Sequence, residues 1–326
     1  MLSLDSRALL LLCSHLSLEN VPDLVPFPPR EWKQIESKLQ AMNQKPGSFI
    51  GLNIDSLRDQ YDFSTEQAIR IVRLLERNDS MSRELERLAS IGIHPLTRAD
   101  EGYPHRFLQR LKESAPTVLF YAGEKALLGQ PGIAVVGSRI LDKIGQECAA
   151  FIGNACGLSG LVLYSGGAKG VDTISMDAAL DVRGAAVGIL ADSLMKAIRP
   201  PAVRSALSRG DLCVATPYAP DAGFSVGAAM GRNRLIYTLA DYAIIVASDV
   251  EKGGTWAGAT EALRHKWVPV FVLAHSDMPQ GNRSLLEKGG LPFPYPFREH
   301  YSKLGEWLQS HADQASPGET QYKLFD

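Results

Sequence analysis

Two short stretches between residues 137 and 170 combine glycine with a cationic side chain directly after an apolar run. Residues 137–139 read Gly-Ser-Arg, and residues 165–170 read Ser-Gly-Gly-Ala-Lys-Gly. Small residues let backbone N–H groups approach an anion, and an arginine or lysine adds a fixed positive charge. These stretches therefore predict contacts to phosphate or another anion, although each one alone is also compatible with plain turn chemistry.

Two later stretches carry the same residue types. Arg232 and Arg234 flank Asn233, and on a regular helix their side chains diverge by about 200°. We therefore expect one of them to face a ligand and the other a carboxylate of the scaffold. Residues 251–255 read Glu-Lys-Gly-Gly-Thr and place glycine at the start of a predicted helix, with Thr255 as its cap. Four anion-suited segments on one domain are more than chance turns usually supply.

Other chemistry is disfavoured by the spacing of the remaining residues. The sequence contains no GxxxxGK[ST] and no GxGxxG, so neither nucleoside triphosphate hydrolysis nor a dinucleotide cofactor is predicted. Its four cysteines form no CxxC pair and its histidines no HxxxH, so we expect no metal site and no disulfide framework. We expect a soluble protein of the reducing cytoplasm. With 34 Lys+Arg against 36 Asp+Glu, any nucleic-acid site must be a local patch.

The elements that position these residues follow from hydrophobic periodicity. The 326 residues suggest two domains. Residues 1–94 have helical spacing and a capping box at Ser64 and Gln67, which predicts a small helical N-terminal module. Residues 95–300 are predicted to form an α/β Rossmann-like domain with a mostly parallel sheet and flanking helices. Residues 301–326 are predicted to be a flexible tail, because their last part is rich in Ser, Pro and Gly.

Six short apolar runs are the candidate strands of this sheet. They cover residues 133–136, 161–164, 185–190, 212–215, 242–247 and 268–273, and helices are predicted to begin near Asp142, Val171, Val203, Gly227 and Thr255. In an open parallel sheet, the loops that follow the strands converge at one edge, where ligands bind. The glycine-rich and cationic segments follow these strands, so we expect them to share that edge.

The order of these motifs resembles the DprA/Smf family of DNA-processing proteins, whose Rossmann-like domain belongs to the SLOG superfamily. The sequence reads VVGSR, SGGAKGVD with AAL downstream, GRNRLI and GGTWAGATEA, where the family has VGSR, SGxAxGID…AL, RNRII and SGTxxTAxxA. The likeness begins at Gly102-Tyr103-Pro104 and ends near Gly281-Asn282, so it covers about 185 residues. Each motif is weak alone, but their order and spacing together are fairly specific.

The resemblance implies a non-catalytic protein that binds single-stranded DNA without a cofactor and acts as a homodimer in natural transformation and DNA recombination. Such proteins protect DNA and hand it to a RecA-type recombinase. A phosphate track needs fixed cations and N–H groups but no nucleophile. The phosphate-binding candidates are Gly137, Ser138, Arg139, Gly166, Gly167, Lys169, Gly170, Arg232, Asn233, Arg234, Lys252, Gly254 and Thr255.

The sequence also departs from the family pattern. Met176 stands where the family usually has histidine, Gly253 and Gly258 replace a serine and a threonine, and Leu273-Ala274 replaces a Pro-Gly pair. These changes indicate a divergent branch, for which a defence-linked pathway is an alternative to transformation.

A nucleotide-binding sensor or phosphoribohydrolase-like enzyme is the alternative function. SLOG proteins of that type carry PGGxGTxxE with a catalytic glutamate, and Gly253, Gly254 and Glu261 are similar to it. No proline precedes the glycines and the GT pair is missing, so we interpret Glu261 as a solvated helix residue. The DNA-binding prediction is favoured, because the family register aligns without gaps.

The C-terminal residues resemble a peptide by which bacterial replication proteins dock on the sliding clamp. Gln321, Leu324 and Phe325 match the pattern QLxLF, whereas Tyr322 departs from it. A sliding clamp is therefore a further predicted partner.

Overall fold

The computed structural model describes residues 2–18, 23–297 and 303–315 and has an α/β fold with a Rossmann-like, mostly parallel sheet. The chain forms two compact units. The first comprises the residues up to Gly129 together with Val187–Leu239, and the second comprises Gln130–Ala186 together with the residues from Ala240 onward. These units interleave along the chain, so they differ from the predicted division into residues 1–94, 95–300 and 301–326. The predicted domain boundaries stay predictions.

The first unit begins with helices, as the sequence predicts. They are α1 (Leu4–Cys13), α2 (Pro29–Ala41), α3 (Ile54–Tyr61), α4 (Thr65–Leu75) and α5 (Asn78–Ser90). Ser64 and Gln67 form the predicted capping box of α4, which satisfies two otherwise unpaired N–H groups. Trp32, Phe49 and Leu57 are fully or almost fully buried in the core that these helices share. The N-terminal segment therefore has its own hydrophobic core.

Strands and further helices complete this unit. They are β1 (Ile93–Thr97), α6 (His105–Leu111), β2 (Val118–Gly123), most of β5 (Ala186–Ile189), α9 (Leu194–Ala197), α10 (Pro201–Arg209), β6 (Leu212–Thr216) and α11 (Val226–Leu239). Short 3-10 turns span Pro46–Phe49, Lys112–Ser114 and Lys125–Gly129. β1 pairs antiparallel with β2, and β2 pairs antiparallel with β6. The sequence predicted neither this antiparallel end of the sheet nor the strands β1 and β2.

The second unit contains the parallel strands. Its elements are β3 (Gly132–Val136), α7 (Lys143–Leu158), β4 (Val162–Ser165), α8 (Val171–Asp181), β7 (Tyr242–Ile245), α12 (Gly253–His265), β8 (Val270–Ala274), α13 (Gln280–Glu287), β9 (Leu291–Pro294) and α14 (Leu304–Ala315). β3 pairs in parallel with β4 and β7, β7 with β8, and β8 with β9. All five residues of β3 are buried, as expected for a strand covered on both faces.

The nine strands found in the described residues follow the order β1-β2-β6-β5-β4-β3-β7-β8-β9. Each of the six strands predicted from the sequence overlaps an observed strand, and the predicted fold class is confirmed. The prediction of a flexible tail was wrong for residues 304–315, because they form α14, which buries Leu304, Leu308 and Ala312. The clamp-like residues Gln321, Leu324 and Phe325 lie outside the described residues. No helix in the described ranges is long and apolar enough to cross a membrane.

Candidate functional site

The loop after β3 is fixed by backbone contacts within the second unit. The Ser138 N–H donates to the Ala247 carbonyl at 2.9 Å, and the Ser138 Oγ accepts from the Ile140 N–H at 3.2 Å. A Cβ atom at position 137 would lie 2.4 Å from Cγ2 of Val171, so only glycine fits there. The loop therefore holds one conformation against the neighbouring strand end and α8, and Arg139 is exposed at its tip.

The loop after β4 meets the loop after β3 directly. Gly170 has φ +88°, and a Cβ atom there would lie 2.5 Å from the Ser138 carbonyl oxygen and 2.7 Å from Cα of Arg139. The Val171 N–H donates to the Ser138 carbonyl at 3.3 Å. Residues that the sequence places about 30 positions apart are thus in backbone contact. Lys169 is exposed beside this contact, so the structure brings the Arg139 and Lys169 loops together as predicted.

Asp172 has a role that the sequence analysis missed. Its side chain is buried, and Oδ2 accepts from the N–H groups of Gly166 and Ala168, at 3.2 Å each. The prediction of an exposed N–H group was therefore wrong for Gly166, because its backbone N–H donates to the carboxylate of Asp172. Gly167, with φ +66°, remains exposed. The sequence signal for this contact was the acidic residue in the first turn of α8, where a carboxylate is favoured.

The start of α12 contributes a third segment. Lys252 occupies the N-cap position and is exposed, and its own side chain makes no capping hydrogen bond. Thr255 lies inside the first turn, so its predicted role as the cap was wrong. Glu251 (φ 53°) and Gly253 (φ +78°) have left-handed backbone, and α12 begins at Gly253 rather than at the predicted Thr255.

A buried asparagine ties the ends of β7 and β8 together. Asn282 Nδ2 donates to the carbonyls of Val246 at 3.1 Å and Leu273 at 2.9 Å, and its Oδ1 accepts from the Ser248 N–H at 2.9 Å. A Cβ atom at Gly281 would lie 2.0 Å from the Ser248 carbonyl oxygen. The Gly-Asn pair marked the end of the family resemblance, but the sequence alone did not reveal this structural role.

Cations and carboxylates are both exposed at these strand ends, since Asp249 and Glu251 precede Lys252 and are exposed like it. Arg139, Lys169 and Lys252 are exposed, and neither lysine makes a side-chain hydrogen bond or ion pair with any described residue. Thiolate chemistry is not available nearby, since burial raises the pKa of Cys148 and Cys156 to about 12. Among the described residues, no three His, Cys, Asp or Glu side chains are grouped so that they could hold a metal ion. The arrangement offers fixed cations and glycine-rich backbone.

The remaining candidates lie on α11, which belongs to the first unit. Arg232 and Asn233 are each 7% exposed, whereas Arg234 is half-buried. Burial raises the pKa of Tyr218, and the positive charges of Arg234 and Arg232 offset part of that rise. The Tyr218 hydroxyl donates to the Ala228 carbonyl at 2.9 Å.

Arginines from α6 also hold the end of α11. Arg110 Nη1 donates to the Thr238 carbonyl at 2.9 Å, and Arg106 donates to the Leu239 carbonyl. Cations near a helix C-terminus are stabilising because the last carbonyls lack helical partners. The segment that carries Arg232 and Arg234 is thus firmly placed within its unit. That these arginines share one site with the loops of the second unit stays a prediction.

Comparisons with known proteins identify relatives of this sequence. The family model described as DNA recombination-mediator protein A matches residues 94–293. The DNA processing protein DprA of Streptococcus pneumoniae strain R6 is 33% identical over 151 residues, which are 44% of this chain and 50% of that protein. The chain thus spans about half the length of this curated relative.

Two solved structures share the fold. The X-ray structure of DNA processing protein A from Streptococcus pneumoniae has a TM-score of 0.65 at 21% identity, and the match covers 85% of this chain and 95% of that one. DNA processing protein A from Helicobacter pylori, whose structure concerns a single-stranded DNA binding mode, has a TM-score of 0.54 at 24% identity, covering 68% and 96%.

Proposed function

The chain belongs to the DNA recombination-mediator protein A family, and from this premise we propose that it is a DNA-processing protein that binds single-stranded DNA without catalysing a reaction on it. The proposal places DNA phosphates against the loops after β3 and β4 and the start of α12. It further assigns Arg232, Asn233 and Arg234 to the same DNA-binding role.

The contact between the two glycine-rich loops is the observation that supports this proposal most strongly. Because Gly170 has no side chain, the backbone at Lys169 and Gly170 lies directly against Ser138 and Arg139. Two exposed cations therefore project from one rigid junction. A flexible polyanion is held by such fixed charges along its backbone, whereas a hydrolase would also need a positioned nucleophile or base.

The likeness to the Helicobacter pylori protein supports single strands as the form of DNA that is bound. In the proposed role the protein protects single-stranded DNA and delivers it to a RecA-type recombinase, as a homodimer. Met176 is buried and carries no ionisable group at the position where family members usually have histidine. This difference is one of the departures that indicate a divergent branch of the family.

The test is a titration of the purified protein with an oligothymidylate, with duplex DNA of equal length and with a panel of nucleoside monophosphates. We expect the single strand to bind most tightly and its affinity to fall steeply as salt is raised, because phosphate contacts release counterions. Release of a free base from a nucleoside monophosphate, or affinity for mononucleotides alone, would overturn the proposal and establish the nucleotide-directed alternative.

A further inference from the structure

A cavity of about 800 Å³ lies within the first compact unit. It is formed by the end of α5, the first residues of β1, the end of β2, and helices α9 and α10. Its walls contain none of the residues assigned above to DNA phosphates. The cavity therefore needs a separate explanation.

Three arginines line the cavity, and no aspartate or glutamate does so among the described residues. Arg87 is held by Glu84, with Nη2 2.5 Å from Oε1 and Nε 2.8 Å from Oε2. Arg199 and Arg204 are exposed and make no side-chain hydrogen bond or ion pair with any described residue. Two guanidinium groups thus remain without a carboxylate partner in a concave surface.

The rest of the lining includes aliphatic side chains. Ile91, Met195, Ile198 and Leu207 contribute to the walls, and Ile91 is 42% exposed although it is large and apolar. Nη2 of Arg87 lies 3.7 Å from Sδ of Met195, so charged and apolar groups alternate over short distances. A ligand that complements this surface must offer both carboxylates and aliphatic groups, since guanidinium groups recognise carboxylates in planar, paired geometry.

We propose that this cavity binds an acidic peptide segment of a partner protein, in which aliphatic side chains stand between carboxylates. Arg199 and Arg204 bind the carboxylates, while Ile91, Ile198 and Leu207 contact the aliphatic side chains. The peptide is recognised through its side chains rather than by extending the sheet along β1, because Pro95 in the middle of that strand has no N–H to donate.

Single-stranded DNA fits this cavity less well. Sites for single strands combine cations with aromatic rings on which bases stack. The only ring among the side chains that line this cavity within the described residues is that of His94, which already contacts Tyr121 at a centroid distance of 5.8 Å. Branched aliphatic walls favour a peptide. The inference does not depend on the proposed DNA binding.

The experiment measures fluorescence anisotropy of a labelled octapeptide, Asp-Glu-Asp-Leu-Asp-Ile-Leu-Asp, with the full chain. We expect saturable binding, and we expect Arg199→Glu and Arg204→Glu each to weaken it at least about tenfold, because each loses a charge-assisted hydrogen bond and gains repulsion. Arg30→Glu is the matched control, since Arg30 is exposed on α2 outside the cavity, and its affinity should change less than about twofold.

A second peptide replaces the leucines and isoleucine by serine. It should bind much more weakly, since the aliphatic contacts are lost. Three results would overturn the inference: no binding of the first peptide at about 1 mM, equal binding of both peptides, or unchanged affinity in the Arg199 and Arg204 variants. Displacement of the peptide by oligothymidylate, with weaker DNA binding in the same variants, would instead assign the cavity to DNA. Circular dichroism confirms that each variant is folded.

Discussion

At the scale of single residues, the side chains proposed to contact DNA are those whose positions are fixed by the backbone of their loops. Arg139 and Lys169 project from loops whose conformations are fixed by Gly137 and Gly170. The sequence predicted these positions, since glycine beside a cation after an apolar run is a local pattern. It could not predict that Asp172 occupies the N–H groups of Gly166 and Ala168, because this contact depends on the exact path of the loop.

Removal of either exposed cation should weaken DNA binding. We expect Arg139→Ala and Lys169→Ala each to cost about 1 kcal/mol in binding free energy for any single-stranded sequence, because a phosphate contact carries no base information. The measurement is fluorescence anisotropy with oligonucleotides of different sequence. Arg73→Ala, which removes an exposed cation on α4, is the control. Equal affinity of all three variants and the unchanged protein would contradict the site.

Two glycines with positive φ should respond differently to alanine. Gly170→Ala places a Cβ atom 2.5 Å from the Ser138 carbonyl oxygen at φ +88°, so the loop junction must move. Gly160→Ala is a matched control, because Gly160 has φ +69° but no heavy atom within 4 Å of the added Cβ. The control should cost about 1 kcal/mol of unfolding free energy from backbone strain alone.

The Gly170 variant should lose more stability than this control, together with most of its DNA affinity. Urea denaturation measures the first effect and anisotropy the second. If both variants behave alike, the close approach of the two loops does not matter for the site.

At the scale of elements, local patterns identified the buried strands but missed elements that depend on tertiary contacts. β3, β4, β6 and β7 are continuous apolar runs, which periodicity detects. β1 contains Pro95 and its burial does not alternate, so it has no local strand signal and depends on its pairing with β2. The composition near the C-terminus suggested a flexible tail, whereas the spacing of Leu304, Leu308 and Ala312 already fits one face of a helix.

Helix α14 gives a direct test at this scale. Leu308 is fully buried, and the neighbouring Trp307 ring lies 5.5 Å from that of Phe293, centroid to centroid. Leu308→Ala should therefore lower the free energy of unfolding by about 2–4 kcal/mol through a lost contact surface and a cavity. Ser310→Ala is the control, since Ser310 is exposed on the same helix, and a change below about 0.5 kcal/mol is expected. Urea denaturation that gives equal stability for both variants would mean that α14 does not pack as described.

At the scale of the whole molecule, the net charge of −2 shapes how an anion can bind. A nearly neutral protein does not attract DNA through its overall field, so the affinity must come from a local group of cations. Arg139, Lys169 and Lys252 are exposed in the second unit and are the cations that we propose for this role. The need for a local group of cations followed from the composition alone, and the strand-end loops carry exposed cations. The number of phosphates bound could not be predicted from the composition or from the loops.

Salt dependence separates a local patch from a general charge effect. For single strands, each phosphate contact contributes about 0.7 to the slope of log affinity against log salt concentration. The double variant Arg139→Ala, Lys169→Ala should therefore flatten the slope by about 1.4. Arg30→Ala combined with Arg73→Ala changes the net charge equally but removes exposed cations from the helical segment. Its slope should be that of the unchanged protein, because neither arginine belongs to the loops that we assign to DNA phosphates. If both double variants flatten the slope alike, overall charge rather than the loop junction holds the DNA.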